Sequence, residues 1–142
     1  MPYKYLKDVT YADVAFAASG TTLNELFESA GLAVTNTMVR NLEEVKPKVK
    51  KTIKLKAGNL EKLLFEFLQE FVFWKDKSLL LFSKVKVKVS GKEGAYKLSA
   101  LVSGEKLDMK KHSLIVDVKA VTWHLFKVEK KKTWSCQVVL DV

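Results

Sequence analysis

The chain holds one cysteine, two prolines and six glycines in 142 residues, and these shortages already exclude several classes of protein. With Cys136 alone no internal disulfide can close, so a disulfide-stapled scaffold is excluded and a reduced compartment is the expected home. Cys136 lies between Ser135 and Gln137 in an alternating stretch, where a small core residue is the expected role. Arginine is scarcer than any other charged residue: Arg40 is the only one among 25 basic residues. Bidentate contacts to guanine edges and phosphates favour arginine, so sequence-specific reading of nucleic acid is disfavoured even at a net charge of +9. No apolar run approaches the length of a membrane span, and the first thirty residues lack the order of a signal peptide. A soluble cytoplasmic protein with no membrane partner is expected. Gly-rich phosphate loops, CxxC pairs, an HExxH helix and a GxSxG elbow are absent as well, which argues against the common nucleotide-binding and hydrolytic classes.

What is present is enough for one core. Hydrophobic residues make up 48% of the chain and aromatics 11%, which suits a single domain over residues 1–142. Asp8 and Asp13 interrupt an aromatic and then small-apolar N-terminal run, and Val14 to Ala18 reads as a buried strand with Asp13 at its entrance. Thr22 and Glu25 form a capping-box pattern that opens a helix ending near Arg40, with Leu23, Leu26, Phe27, Ala30, Val34 and Met38 on one stripe. After Pro47, residues 50–57 alternate as a half-exposed strand; Asn59 then caps a second helix whose Leu60, Leu63, Leu64, Phe67, Leu68 and Phe71 hold helical spacing. Phe65, Phe73 and Trp74 widen that stripe, so the helix should be covered on more than one side. From Leu79 the period changes to two. Val85, Val87 and Val89 are predicted inward and Lys84, Lys86 and Lys88 outward, followed by a hairpin at Gly91 and Gly94 and a strand over 95–103. Gly104 should end that strand, a connection should run from Asp108 to Lys111, and strands should follow to about Glu129 and from Trp134 to Val142. The expected fold class is α+β: two amphipathic helices packed on a largely antiparallel or mixed β-sheet.

The ionisable residues crowd into Gly104 to His124, GEKLDMKKHSLIVDVKAVTWH. Strand alternation there would turn Val116, Val118, Ala120 and Thr122 one way and Asp117, Lys119, Val121 and Trp123 the other. His112 and His124 lack the close spacing of a zinc site, so hydrogen-bonded or strand-end roles are expected. Asp13, Asp108 and Asp141 offer oxygen ligands of the kind that suit hard cations, although isolated surface aspartates are the default. The lysines of 84–88 fit a phosphate backbone, but the expected reading is a solvated sheet face whose charges deter edge pairing.

The run GEKLDMKKH followed by VKAVTWH resembles the archease family, in which a G-E-x-x-D…H segment leads into V-K-A-x-T-Y-H. The tail VVLDV, the segment YADVAF and the helix start TTLNELF are similar to that family's corresponding segments. Thr10 and Tyr11 stand where the family has His-Thr, Ala15 replaces a glycine, and Trp123 replaces a tyrosine. The resemblance implies a non-enzymatic accessory protein that promotes guanylylation and multiple turnover of the tRNA-splicing RNA ligase. A tRNA methyltransferase is a second implied partner, with RNA contact indirect or weak. It also implies that Asp13, Asp141 and Val142 bind a divalent metal, calcium being expected and magnesium or manganese the alternatives. Lys119 would act beside them, with Asp108, His112 and His124 in support.

Overall fold

A computed structural model describes residues 3–7 and 13–142, so Asp8, Thr10 and Tyr11 lie outside the described residues. In chain order the elements are β1 (Tyr3–Leu6), β2 (Val14–Gly20), α1 (Leu23–Met38), a 3-10 turn (Leu42–Glu44), β3 (Val49–Ala57), α2 (Leu60–Ser78), β4 (Leu80–Lys92), β5 (Ala95–Lys106), β6 (Ala120–Lys130) and β7 (Trp134–Asp141). The strands make two antiparallel sheets, of order β1-β2-β7-β6 and β3-β5-β4, where a single sheet was expected. Both helices touch both sheets, which explains why α2 carries apolar residues beyond one stripe. On one side Phe65 stacks on Trp123 at 4.0 Å between ring centroids; on another, Phe67 and Phe71 extend an edge-to-face series to Phe82 of β4. No helix among the described residues is long and apolar enough to cross a membrane.

The helix starts follow the sequence. Thr22 caps α1 by accepting from the Glu25 amide at 3.2 Å, and Asn59 caps α2 by accepting from the Lys62 amide at 2.8 Å. Glu25 reaches one residue further back than a capping box requires, taking the Thr21 amide and hydroxyl at 2.8 Å each. The hairpin between β4 and β5 turns on Gly91 and Gly94, whose φ values of 96° and 93° exclude most side chains.

Two expectations fail in the same region. Gly104 does not end a strand: β5 runs on to Lys106, and Gly104 pairs with both Val49 and Phe82. A Cβ at Gly104 would lie 1.6 Å from the Leu81 carbonyl oxygen, so the residue is glycine because β4, irregular between Phe82 and Lys84, presses against it. Nor does a strand begin soon after Lys111. β6 starts only at Ala120, and the preceding residues run beside the end of α1, through a Val39–Leu114 bridge, the Arg40 amide on Ser113 O (2.8 Å) and the Ile115 amide on Met38 O (2.8 Å). The expected alternation breaks with it: Val118 and Val121 are both buried, three residues apart, and Trp123 is exposed.

Candidate functional site

The N-terminal end of β2, the C-terminal end of β7 and the start of β6 meet at one end of the four-stranded sheet. Val14 pairs with Leu140, and Leu140 pairs in turn with Val121. Continuing that register by one position places Asp13 across from Asp141, which itself pairs with Ala120. The Lys119 amide donates to the Asp141 carbonyl at 2.7 Å, fixing the lysine beside the acidic pair. Asp13 and Asp141, 128 residues apart in sequence, are thus neighbours because antiparallel pairing puts one strand's start against the other's end. Lys119 and Asp141 are exposed, and Asp13 is half-buried on the rim of a cavity of about 360 Å³ that Tyr5, Asn36, Thr37 and Ile115 also line.

Asp108 and His112 are engaged in a separate arrangement. Asp108 donates its amide to His112 Nδ1 at 2.9 Å and accepts from the Lys110 amide on Oδ1 at 2.9 Å, closing the turn after β5. With Nδ1 accepting, Nε2 carries the proton and faces Glu105 Oε2 at 3.2 Å. Glu105 is buried, and it also accepts from the Lys46 amide at 2.7 Å and the Lys111 ammonium at 2.8 Å, with Lys48 at 3.6 Å. Burial alone would raise its pKa, but the hydrogen bonds from Lys111, Lys46 and His112 outweigh it and hold the carboxyl at about 2. His124 is exposed on an irregular part of β6, between Thr122 and Lys127, where Leu125 takes a φ of 55° and Gln137 Nε2 donates to its carbonyl at 3.0 Å. Among the described residues no three His, Cys, Asp or Glu side chains converge on a metal-sized space, so Asp108, His112 and His124 do not complete a cage with Asp13 and Asp141.

The sequence profile of the Archease protein family matches residues 3–142. The chain belongs to the archease family. It is 38% identical to the protein archease of Thermococcus kodakarensis over 133 residues, covering 92% of this chain and 93% of that one. It is 34% identical to the protein archease of Methanosarcina mazei over 142 residues, covering 99% and 95%. The solution structure of Methanobacterium thermoautotrophicum protein 1598 superposes with a TM-score of 0.85 at 29% identity, covering 99% of each chain.

The archease signature that runs from Gly104 to His112 therefore has a structural account here: Gly104 admits the Leu81 carbonyl, and Glu105, Asp108 and His112 bind the loop after β5 to the segment before β3. Sequence reading passed over one further residue in this region. Lys75 of α2 is buried, and its ammonium donates to Asp117 Oδ1 at 2.6 Å, to the Val118 carbonyl at 2.7 Å and to Asp76. Burial pushes its pKa down, and the bonds to Asp117 and Asp76 push it up further, so it stays charged. The available signal was spacing: Lys75 sits four residues after Phe71 and seven after Leu68, in line with the buried stripe. Cys136 is buried, and burial pushes its thiol up to about 12, as suits an inert core residue.

Proposed function

We propose that this chain is a non-enzymatic accessory protein of the cytoplasm that promotes guanylylation and repeated turnover of a tRNA-splicing RNA ligase. The family resemblance supplies the partner. The observation that carries the reading is the shared sheet end, where Asp13 and Asp141 face one another and Lys119 is fixed to the Asp141 backbone. Carboxylate oxygens are hard donors, so Asp13, Asp141 and Val142 fit calcium, with magnesium or manganese as alternatives. A bound cation there would supply positive charge for a nucleotide's phosphates. Fewer donors than calcium's six to eight oxygens are available, which leaves positions for water or a partner's groups.

The protein's own contributions are simpler. The β2–β7 pairing holds two carboxylates at one end of the sheet, and the Lys119 backbone is anchored beside them by the Asp141 carbonyl. The test is a ligation time course with ligase far below substrate, with and without this protein. Product beyond one turnover only in its presence is expected, and Asp13→Ala, Asp141→Ala and Lys119→Ala should each reduce it while remaining folded. Full activity in all three variants would overturn the assignment of the site, and an unchanged plateau with the unmodified protein would overturn the function.

A further inference from the structure

The outer face of the β3-β5-β4 sheet gathers lysines from all three strands. Lys50, Lys54 and Lys56 come from β3, Lys97 from β5, and Lys84, Lys86 and Lys88 from β4, and all seven are exposed. Register sets them in rows: Lys54–Ser99–Lys88, Lys56–Lys97–Ser90 and Thr52–Leu101–Lys86. No acidic residue occupies any outward position of these rows, and among the described residues none of the seven lysines makes an ion pair. Lys56 and Lys97 are direct cross-strand partners, an arrangement that costs stability by like-charge repulsion. The face is also concave. A depression of about 500 Å³ is lined by Lys54, Lys56, Lys88, Lys97, Ser90 and Ser99.

Protection of sheet edges accounts for lysines on β3 and β4, which are the edge strands, but not for Lys97 on the central strand or for the absence of any acid. We propose that this face binds the phosphate backbone of RNA. Charge complementarity selects a polyanion, and the hydroxyls of Thr52, Ser90 and Ser99 between the lysines are donors suited to phosphate oxygens. The same features disfavour an acidic protein as occupant. Leu101 is the one large apolar residue exposed among these rows, and the face has no aromatic anchor of the kind that dominates protein interfaces. Lack of arginine and of stacking aromatics makes the binding independent of sequence. From Lys50 to Lys56 the strip is about 20 Å long, and its three strands make it about 10 Å wide, enough to track several consecutive phosphates. The inference goes beyond the acidic sheet end and does not depend on it.

The experiment measures fluorescence anisotropy of a labelled single-stranded oligouridine of about 20 nucleotides over a range of potassium chloride concentrations. The unmodified protein should bind at about 50 mM salt, with log K falling by about 0.7 per log salt for each phosphate engaged. Changing Lys54, Lys88 and Lys97 to Gln together should weaken binding at least about tenfold and reduce the slope by about 2. An equal charge change at Lys110, Lys131 and Lys132, in turns away from this face, should alter affinity less than about twofold because exposed charges beyond a Debye length are screened. Circular dichroism establishes that both triple variants are folded. Equal losses in the two variants would show a net-charge effect and overturn the proposal, as would the absence of binding by the unmodified protein. Displacement of the RNA by polyglutamate at equal charge concentration would assign the face to an acidic protein and overturn it too. Ligation assays on the Asp13 and Asp141 variants report on the other site, so each reading fails separately.

Discussion

Replacing Glu105 by glutamine removes one charge from the joint between β5 and the loop that leads to Lys119. In the folded protein the carboxyl titrates at about 2 against an ordinary 4.5, because Lys111, the Lys46 amide and His112 all donate to it. That depression corresponds to about 3 kcal/mol of stabilisation at neutral pH before screening. The partners are unequally buried: side-chain exposure is 8% for Glu105, 35% for Lys111 and 67% for Lys48. Solvent screening of the lysines reduces the contribution to about 1–2 kcal/mol. Glutamine adds a second cost, since its amide nitrogen is a donor set among donors, and a buried amide left without an acceptor costs about 1–3 kcal/mol. Glu105→Gln should therefore lower stability by about 2–5 kcal/mol at pH 6 to 7.

The pH dependence separates the charge from the packing. A carboxyl with a depressed folded pKa stabilises fully above its unfolded pKa of about 4.5, and the contribution fades as pH falls toward the folded value of about 2. Urea titrations of both proteins at pH 6 and pH 3, followed by far-UV circular dichroism, read the difference directly. Other carboxylates cancel because they are common to both. The charge part of the gap should shrink by about half or more at pH 3 while the unpaired-amide part stays, so the whole gap should narrow by about a third. A gap of equal size at both pH values would show that the loss is steric, and one below about 0.5 kcal/mol at pH 6 would refute the clamp altogether.

Other expectations rest on single contacts. Lys75→Met should cost about 2 kcal/mol, chiefly by leaving the buried Val118 carbonyl without its donor, and urea titration against Asp117→Asn should show the milder loss for the exposed aspartate. Gly104→Ala should cost more than about 4 kcal/mol, seen as insoluble expression or a lowered melting temperature, since its Cβ has no space against Leu81 O. Cys136 should resist a thiol reagent at pH 8 in the native protein and react in urea, because burial holds its thiol near 12 and out of contact with solvent.

Local signals sufficed for the helices and for the β4–β5 hairpin, since caps, apolar spacing and turn glycines act within a few residues. They failed where backbone partners come from distant segments. Nothing near His112 announces that residues 113–115 will pair with the end of α1 rather than with a strand, because their partners, Met38 to Arg40, lie far earlier in the chain. Gly104 misled for a related reason: a glycine that stops a strand and one that admits a neighbouring carbonyl look alike until the neighbour is known. The separation into two sheets was equally invisible, since antiparallel hairpins give the same alternation in one sheet or two. Residue type grouped Asp13, Asp108 and Asp141 as oxygen ligands, only family resemblance separated Asp108 from the other two, and the strand register gives the physical reason for the proximity of Asp13 and Asp141.

Glu105, Lys75 and Lys119 form successive fastenings on one length of chain. Glu105 fixes the turn through His112 and Lys111; the end of α1 takes Ser113 to Ile115; Lys75 takes Asp117 and the Val118 carbonyl; and the next amide, Lys119, reaches Asp141. A segment with little sheet pairing of its own is thereby held without the cooperativity of a strand, one bond at a time. Loosening an upstream fastening should broaden the positions open to Lys119 while leaving the β2–β7 pairing, and so the two aspartates, in place. On the proposed function, Lys75→Met and Glu105→Gln are therefore expected to separate two properties that Asp13→Ala should remove together. Cation affinity, read by calorimetry with calcium, should persist in both, while ligase stimulation falls. Parallel loss of both properties would mean that this segment supports the aspartates as well as the lysine.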